Sequence, residues 1–272
     1  MMKVKIIIFI SQLVGVALTG FLLLVVVFQS NAEPAELNAV PRTHGLDNKC
    51  IEADLGGLLQ KHNGSFHMKR YRRQLAAMIN EVNKNSKGDA ILQIGAEVGV
   101  FKGQLSSIML RSVPNITKYY LVDSWKHLDG WNMPFNDNTD ETFQDIFQEA
   151  MAKTRDHLLH GHKVEVLREV SDIARDHVPD GSLDFVYIDG DHTAKGVILD
   201  LLIWLPKVRC GGLVLGDDYM DNMDYWGLGI GKYDPVFVKS PVDAFAKGLG
   251  VQVYELGAGN WAFVKPHQSY QL

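Results

Sequence analysis

Short apolar runs alternate with amphipathic stretches between residues 90 and 218. Five of the runs suit strands: AILQIG (90–95), YYLVD (119–123), KVEVLRE (163–169), LDFVYID (183–189) and GGLVLGDD (211–218). Helical stretches separate them, including 141–159 and 193–205, and in the second of these Val197, Leu201 and Trp204 share one face. Strands that are apolar on both faces and alternate with helices predict a parallel, doubly wound α/β sheet.

The pattern differs on either side of this region. Before it, apolar residues recur at the spacing of one helical face, namely at Leu75, Met78, Ile79 and Val82. We therefore expect the folded domain to begin near Met68. After it, VQVYEL and NWAFVK flank the turn sequence GAGN, which predicts a hairpin that adds an antiparallel edge strand.

The N-terminus has a different pattern. Residues 6–28 contain no charge, and such a run is long enough to cross a bilayer as a helix. Lys3 and Lys5 precede it and no basic residue follows until Arg42, so the positive-inside rule predicts a cytoplasmic N-terminus. The rest of the chain would then be lumenal or extracellular. A retained single-pass anchor is favoured over a cleaved signal peptide, which would give a secreted protein.

These patterns predict three regions in the chain. Residues 1–29 are the anchor or signal segment, residues 30–66 form a stalk rich in turn-forming residues, and residues 67–272 form the folded domain. Cys50 and Cys210 are the only cysteines, and two unpaired thiols are favoured over a disulfide because nothing in the sequence brings them together. Sequons at Asn63 and Asn115 are compatible with the lumenal side.

The overall composition is that of a globular protein, with 46% hydrophobic and 22% charged residues. The net charge of −5 offers no basic surface for nucleic acid. One short basic cluster at 67–73 fits a solvated helix face better than a binding patch. We therefore predict no nucleic-acid partner.

Candidate binding residues follow the first two strands, because ligands of open parallel sheets bind beyond the carboxyl ends of the strands. The segment IGAEVGVFKGQLS (94–106) contains Gly95, Gly99 and Gly103, a spacing that also suits ordinary turns and is not the dinucleotide-binding motif. Asp123 ends the second strand, where an acid can bind the ribose hydroxyls or cap a helix. Together with Glu97, these residues predict a nucleoside pocket.

Acidic residues also end the fourth and fifth strands. Asp189, Asp217 and Asp218 would converge if these strands are neighbours, and such a cluster favours a bound hard cation such as Mg²⁺. The alternative is that one or two of them cap the following helices. His192 is the predicted general base because an unperturbed imidazole is mostly neutral at pH 7, and Asp191 is the rival.

Four segments together resemble the class I S-adenosylmethionine-dependent methyltransferases, and within them the macrocin O-methyltransferase group, which modifies sugar hydroxyls. They are LQIGAEVGVFKGQLS, YYLVDSW, EVSDIARDHVPDGSLDFVYIDGDH and WLPKVRCGGLVLGDDY. The resemblance implies a Rossmann-like methyltransferase domain at 67–272. By similarity, S-adenosylmethionine would lie against Gly95, Glu97 and Gly99 with its methionine end, Asp123 with its ribose and Ser171 with its adenine. The metal would be held by Asp189, Asp217 and Asp218.

The expected activity is therefore transfer of a methyl group to a hydroxyl of a small molecule or sugar. Two long aromatic loops, 124–138 and 219–234, are the expected substrate loops. In them Trp131, Tyr225 and Trp226 either stack on a sugar or an aromatic ring or serve local packing. One alternative is a membrane-anchored glycosyltransferase that uses Asp189-Gly190-Asp191 as a D-x-D motif. Another is a non-catalytic protein on a methyltransferase fold.

Overall fold

The computed structural model describes Leu55, Gly57 and residues 71–86, 91–159 and 163–267. The predicted anchor at 6–28, most of the stalk, Cys50 and the Asn63 sequon lie outside these residues. Within the described ranges, no helix is both long and apolar enough to span a bilayer.

A seven-stranded sheet forms the centre of the domain. Its strands are β1 (Ile94–Val98), β2 (Lys118–Val122), β3 (Lys163–Leu167), β4 (Leu183–Ile188), β5 (Val208–Gly216), β8 (Tyr254–Gly257) and β9 (Asn260–Val264). Two further strands, β6 (Asp221–Asn222) and β7 (Val236–Phe237), pair with each other in a separate two-stranded sheet. The order is β3-β2-β1-β4-β5-β9-β8. The first five strands are parallel, whereas β9 runs antiparallel to β5 and β8. The predicted mostly parallel α/β fold with an antiparallel C-terminal hairpin is confirmed.

Helices cover both faces of the sheet. They are α1 (Tyr71–Asn85), α2 (Gln104–Ser112), α3 (Asp140–Leu159), the single turn α4 (Ser171–Ala174), α5 (Ala194–Trp204) and α6 (Lys239–Leu249). Alternate residues of each strand face opposite sides, so two separate cores form. One packs α1, α2 and α3 against residues such as Tyr119 and Phe185, and the other packs α5 and α6 against residues such as Val186 and Val214.

The first strand begins later than predicted, at Ile94 instead of Ala90. Gly95 and Glu97 therefore lie inside the strand, not in the loop that follows it. A Cβ on Gly95 would lie 2.2 Å from Cζ of Phe185, so this glycine makes room for the core. α6 was not predicted from the sequence, because the short apolar stripe of this helix follows directly on a long loop.

Asp184 is the one charged residue inside the apolar fourth strand, and it is buried. Its Oδ2 accepts hydrogen bonds from the backbone N–H groups of Gln93 and Ile94, both at 2.8 Å, and its Oδ1 lies 2.7 Å from Nε of Arg209. A buried carboxylate is tolerated when it is paired and hydrogen-bonded in this way. Asp184 therefore joins β1, β4 and β5 at the edge of the sheet opposite the predicted site.

The prediction of unpaired thiols is wrong for Cys210, which is disulfide-bonded. Pairing depends on distance in the folded chain, which the separation of two cysteines in the sequence does not reveal.

Candidate active site

A cleft of about 810 Å³ opens beyond the carboxyl ends of the parallel strands. It lies where β1 and β4 are neighbours, the point at which the order of the strands reverses. Open α/β sheets place their ligands at this point, because the loops after the two central strands diverge there. All the residues that the sequence marked as candidates line this cleft except Gly95 and Gly103.

Gly99 makes the tight turn that follows β1. It has a φ of +88°, and its N–H donates to the carbonyl of Val122 at 2.9 Å. A Cβ at this position would lie 1.9 Å from the backbone oxygen of Asp189. Only glycine fits between these two strand ends, so Gly99 allows the first loop to lie directly against the end of β4.

Asp123 holds the loops after β1 and β2 together. Its Oδ2 accepts from the N–H of Phe101 and its Oδ1 from the N–H of Trp125, both at 2.8 Å. Burial raises the pKa of Asp123, while its backbone hydrogen bonds oppose the rise. The capping alternative does not describe this residue, since the next helical turn begins only at Pro134.

Glu97 points into the site from β1 but is almost fully buried. Its Oε2 accepts a hydrogen bond from the Ser106 hydroxyl at 2.5 Å and a longer one from the Tyr119 hydroxyl at 3.4 Å. Burial raises the pKa of Glu97 to about 8, so the carboxyl group is mostly protonated at neutral pH. Glu97 thus lines the cleft as a neutral group.

We expect Glu97 to make stability depend on pH. Its pKa is about 8 in the folded protein against an ordinary value of 4.5, so between these values the folded state holds the additional proton. Stability should therefore fall as pH rises from about 5 to about 8. Glu97→Gln has no proton to lose, and its thermal midpoint should vary less over this interval than that of the wild type. Glu141→Gln, at an exposed position on α3, is the control, and an unchanged pH profile in Glu97→Gln would contradict the assignment.

Ser171 lines the cleft at the start of α4, where its hydroxyl belongs to a buried network. It donates to Oδ1 of Asp200 at 2.5 Å and accepts from Nε1 of Trp204 at 2.7 Å. Burial raises the pKa of Asp200 to about 7. Asp200 was not predicted as a site residue, because an acid within an apolar helix gives no sign that it faces the cleft.

Asp189, Asp217 and Asp218 lie together beyond β4 and β5, as the neighbouring strands predicted, and His192 lies among them. Nε2 of His192 is 3.2 Å from Oδ1 of Asp189 and 3.7 Å from Oδ2 of Asp218. Burial lowers the pKa of His192, but the hydrogen bond and charge of Asp189, with help from the other two acids, raise it to about 9. His192 is therefore mostly protonated at pH 7, in contrast to the neutral imidazole expected from the sequence.

This arrangement does not supply a ready metal-ligand set. Among the residues that the structure describes, no group of three or more Asp, Glu, His or Cys side chains is placed to hold a metal ion. The imidazolium of His192 provides positive charge at the centre of the acids. The carboxylates suit Mg²⁺ in their chemistry, but in this arrangement they do not fit around one.

Asp191 interacts mainly with the helix that follows it. Its Oδ1 accepts from the N–H of Thr193 at 3.0 Å and its Oδ2 from the Thr193 hydroxyl at 3.1 Å. Thr193 in turn caps α5 by accepting from the N–H of Gly196 at 3.0 Å. Asp189 and Asp191 thus have separate partners, unlike a pair of ligands in a D-x-D site.

Two loops form a lid over the cleft, and we define the lid as residues 124–138 and 219–235. Phe135 packs against Phe101 and Trp226 with ring centroids 5.3 Å apart in both pairs. The N–H of Asp234 donates to the carbonyl of Asn132 at 2.9 Å, and the Tyr233 hydroxyl donates to Asp137. The predicted substrate loops therefore contact each other. Phe135 was not predicted as a site residue. It connects the two lid loops to the loop after β1 through Phe101.

These features define a domain of the Rossmann-like α/β class. Residues 96–219, slightly less than half of the chain, match the family model described as "Methyltransferase domain". This part of the chain is similar to that family, and the predicted methyltransferase class is confirmed. It does not distinguish the macrocin group, which stays a prediction. No curated relative matches the chain significantly.

Several solved structures are similar in outline. An O-methyltransferase from Bacillus cereus in complex with SAH has 13% identity and a TM-score of 0.44, covering 77% of this chain and 88% of its own. The O-methyltransferase TomG from Streptomyces achromogenes, in complex with SAM, has 14% identity and a TM-score of 0.44, covering 73% and 81%. These similarities are too weak to carry an argument about activity.

Proposed function

We propose that the protein transfers the methyl group of S-adenosylmethionine to a hydroxyl oxygen. The main support is that one cleft contains both the Gly99 turn with Asp123, which suits an adenosine, and a cluster of titratable groups around His192. In the reaction the acceptor oxygen forms a bond to the methyl carbon, the sulfonium–carbon bond breaks, and the acceptor loses its proton. Such a transfer requires the acceptor to be held in line about 3 Å from the methyl group.

The proposed residue roles follow from these positions. The carboxylate of Asp123 would bind the ribose hydroxyls, and Ser171 would lie near the adenine. The acceptor hydroxyl would face His192. We assign proton removal to the His192–Asp189 pair, because Asp191 is occupied by Thr193. The acceptor is a small-molecule or sugar hydroxyl held under the lid, whose aromatic side chains offer faces for either ring.

Calorimetry on the purified protein tests the cofactor assignment. S-adenosylhomocysteine, which carries the same nucleoside and amino-acid groups as the cofactor, should bind, and a nucleotide-sugar should not. Binding of the nucleotide-sugar alone would favour the glycosyltransferase alternative. Absence of binding by both ligands would favour a non-catalytic protein on this fold.

The role of His192 predicts a particular pH dependence. A base must be unprotonated to accept the proton, and the pKa of His192 is raised to about 9. Turnover should therefore rise with pH up to about 9, and not level off above pH 7. His192→Ala should reduce turnover about 10²- to 10⁴-fold with S-adenosylhomocysteine affinity nearly unchanged, the usual range for a general base. Near-normal turnover in His192→Ala together with a large loss in Asp191→Ala would identify Asp191 as the base.

Mg²⁺ dependence stays a proposal that rests on the sequence resemblance alone, and it would require Asp189, Asp217 and Asp218 to move from the arrangement described above. If the ion is required, activity should disappear in EDTA and return when Mg²⁺ is added. Full activity in chelator would remove the metal from the reaction.

We also propose that the domain is lumenal or extracellular and that residues 1–29 anchor it, with 30–66 as a stalk. The disulfide at Cys210 supports this, since disulfides persist mainly in oxidising compartments. Asn115 is exposed in the turn after α2, so its sequon could be glycosylated there. Full-length protein from secretory cells should resist alkaline carbonate extraction and lose mass on deglycosylation, and Asn115→Gln should reduce that mass loss. A chain that starts at Glu33 would instead show a cleaved signal.

A further inference from the structure

The wall of the cleft is strongly acidic. Asp and Glu outnumber Lys and Arg on it by ten to three. The Lys and Arg side chains are Arg72, Lys102 and Lys126, whereas the protonated His192 already interacts with Asp189 and Asp218. S-adenosylmethionine carries one negative group, the carboxylate of its amino-acid part. An anionic group placed among acids is strongly disfavoured unless a cation or several N–H donors lie beside it. The position of the cations therefore limits where this carboxylate can bind.

Arg72 is one of the residues that line the cleft. It lies half-buried in the first turn of α1, and its positive charge acts on the buried Glu97 of β1. Lys102 and Lys126 are less suitable for binding the carboxylate of the cofactor. Lys102 pairs with Glu149 at 3.3 Å and is 40% exposed, and Lys126 is exposed on the lid. Arg72 is thus the cation of the cleft wall whose charge acts on β1.

The order of the strands indicates which part of the cofactor reaches Arg72. Asp123 and Ser171 place the nucleoside beyond β2 and β3, and the His192 cluster places the reacting methyl group beyond β4 and β5. The amino-acid part then lies over β1, between Glu97 and the start of α2. No side chain caps the N-terminus of α2, whose first residue, Gln104, also lines the cleft. This end of the helix adds partial positive charge on the same side.

We infer that Arg72 binds the carboxylate of the cofactor's amino-acid part, an inference that rests on the proposed function. A guanidinium can form two parallel hydrogen bonds to a carboxylate, and such charge-assisted pairs are among the strongest in proteins. Arg72 would therefore select a cofactor with an intact amino acid and fix the sulfonium in line with the acceptor.

The test compares S-adenosylmethionine with decarboxylated S-adenosylmethionine, which lacks only that carboxylate. In calorimetry the wild-type protein should bind the intact cofactor about 10- to 100-fold more tightly, the range expected for a charge-assisted pair. Arg72→Ala should lose this preference by weakening the intact cofactor and leaving the affinity for the decarboxylated one unchanged. Arg73→Ala is the matched control, because Arg73 follows on the same helix and is exposed.

Each other outcome has its own meaning. If the wild type binds neither ligand, the proposed function fails. If the wild type binds both ligands equally, or if Arg72→Ala weakens both to the same extent, the carboxylate does not contact Arg72 and the inference is overturned. A preference that Arg73→Ala abolishes and Arg72→Ala retains would overturn it as well.

Discussion

Gly99→Ala should abolish binding of S-adenosylhomocysteine and lower the thermal midpoint. The added Cβ would lie 1.9 Å from the carbonyl oxygen of Asp189, which is backbone and cannot move aside as a side chain could. The turn would have to shift away from β4 and carry the cleft wall with it. A positive φ adds a strain of about 1 kcal/mol for any residue with a Cβ. Calorimetry and thermal unfolding measure the two effects.

Gly181→Ala separates the clash from the strain. Gly181 also has a positive φ, +66°, but a Cβ there would meet no atom within 4 Å. This variant should lose a little stability and keep full ligand affinity. If Gly99→Ala behaves like Gly181→Ala, the turn after β1 has more room than the structure shows, and its role in the cleft must be revised.

Asp123→Ala is expected to have the second large effect. The variant loses the proposed charged acceptor for the ribose hydroxyls, a contact of about 1.5–3 kcal/mol, which corresponds to roughly 10- to 100-fold in affinity. It also leaves the N–H groups of Phe101 and Trp125 without their acceptor. We therefore expect affinity for S-adenosylhomocysteine to fall by at least this factor, together with a modest loss of stability, in parallel calorimetry and thermal unfolding.

Asp129→Ala provides the comparison for this variant. Asp129 lines the same cleft, but its side chain is fully exposed on the lid, so its removal changes the charge of the cleft without removing a buried contact. Its affinity should stay close to that of the wild type. Equal losses in both variants would mean that Asp123 acts only through the overall charge of the cleft.

The sequence predicted the sheet and the residues at its edge because both depend on local pattern. Apolar runs separated by helices leave few alternatives to a parallel sheet, and an acid at the end of such a run must lie at the sheet edge. Asp123, Asp189 and Asp217 could be placed in this way. The protonation of His192 could not be predicted, because its pKa depends on acids that follow two different strands and become neighbours only in the fold.

Other features escaped prediction for related reasons. Asp200 reaches the cleft from the middle of an apolar helix, and its partner Ser171 is far away in the sequence. The first strand was placed too early, since Ala90 and Leu92 are as apolar as the strand itself. The bonds from Gln93 and Ile94 to Asp184, a residue on another strand, lie at the actual start of β1.

The place of β9 in the sheet has a consequence for biosynthesis. β5 is synthesised before β9, yet its outer edge pairs with β9. Trp261 of β9 also donates to the carbonyl of Asp217 at 3.1 Å and packs on Gly216. A nascent chain that has emerged only as far as α6 therefore has the parallel strands but an open edge beside the acidic cluster. Exposed strand edges invite pairing with other chains. β9 is thus synthesised after all the parallel strands, yet it both protects the sheet and supports the site.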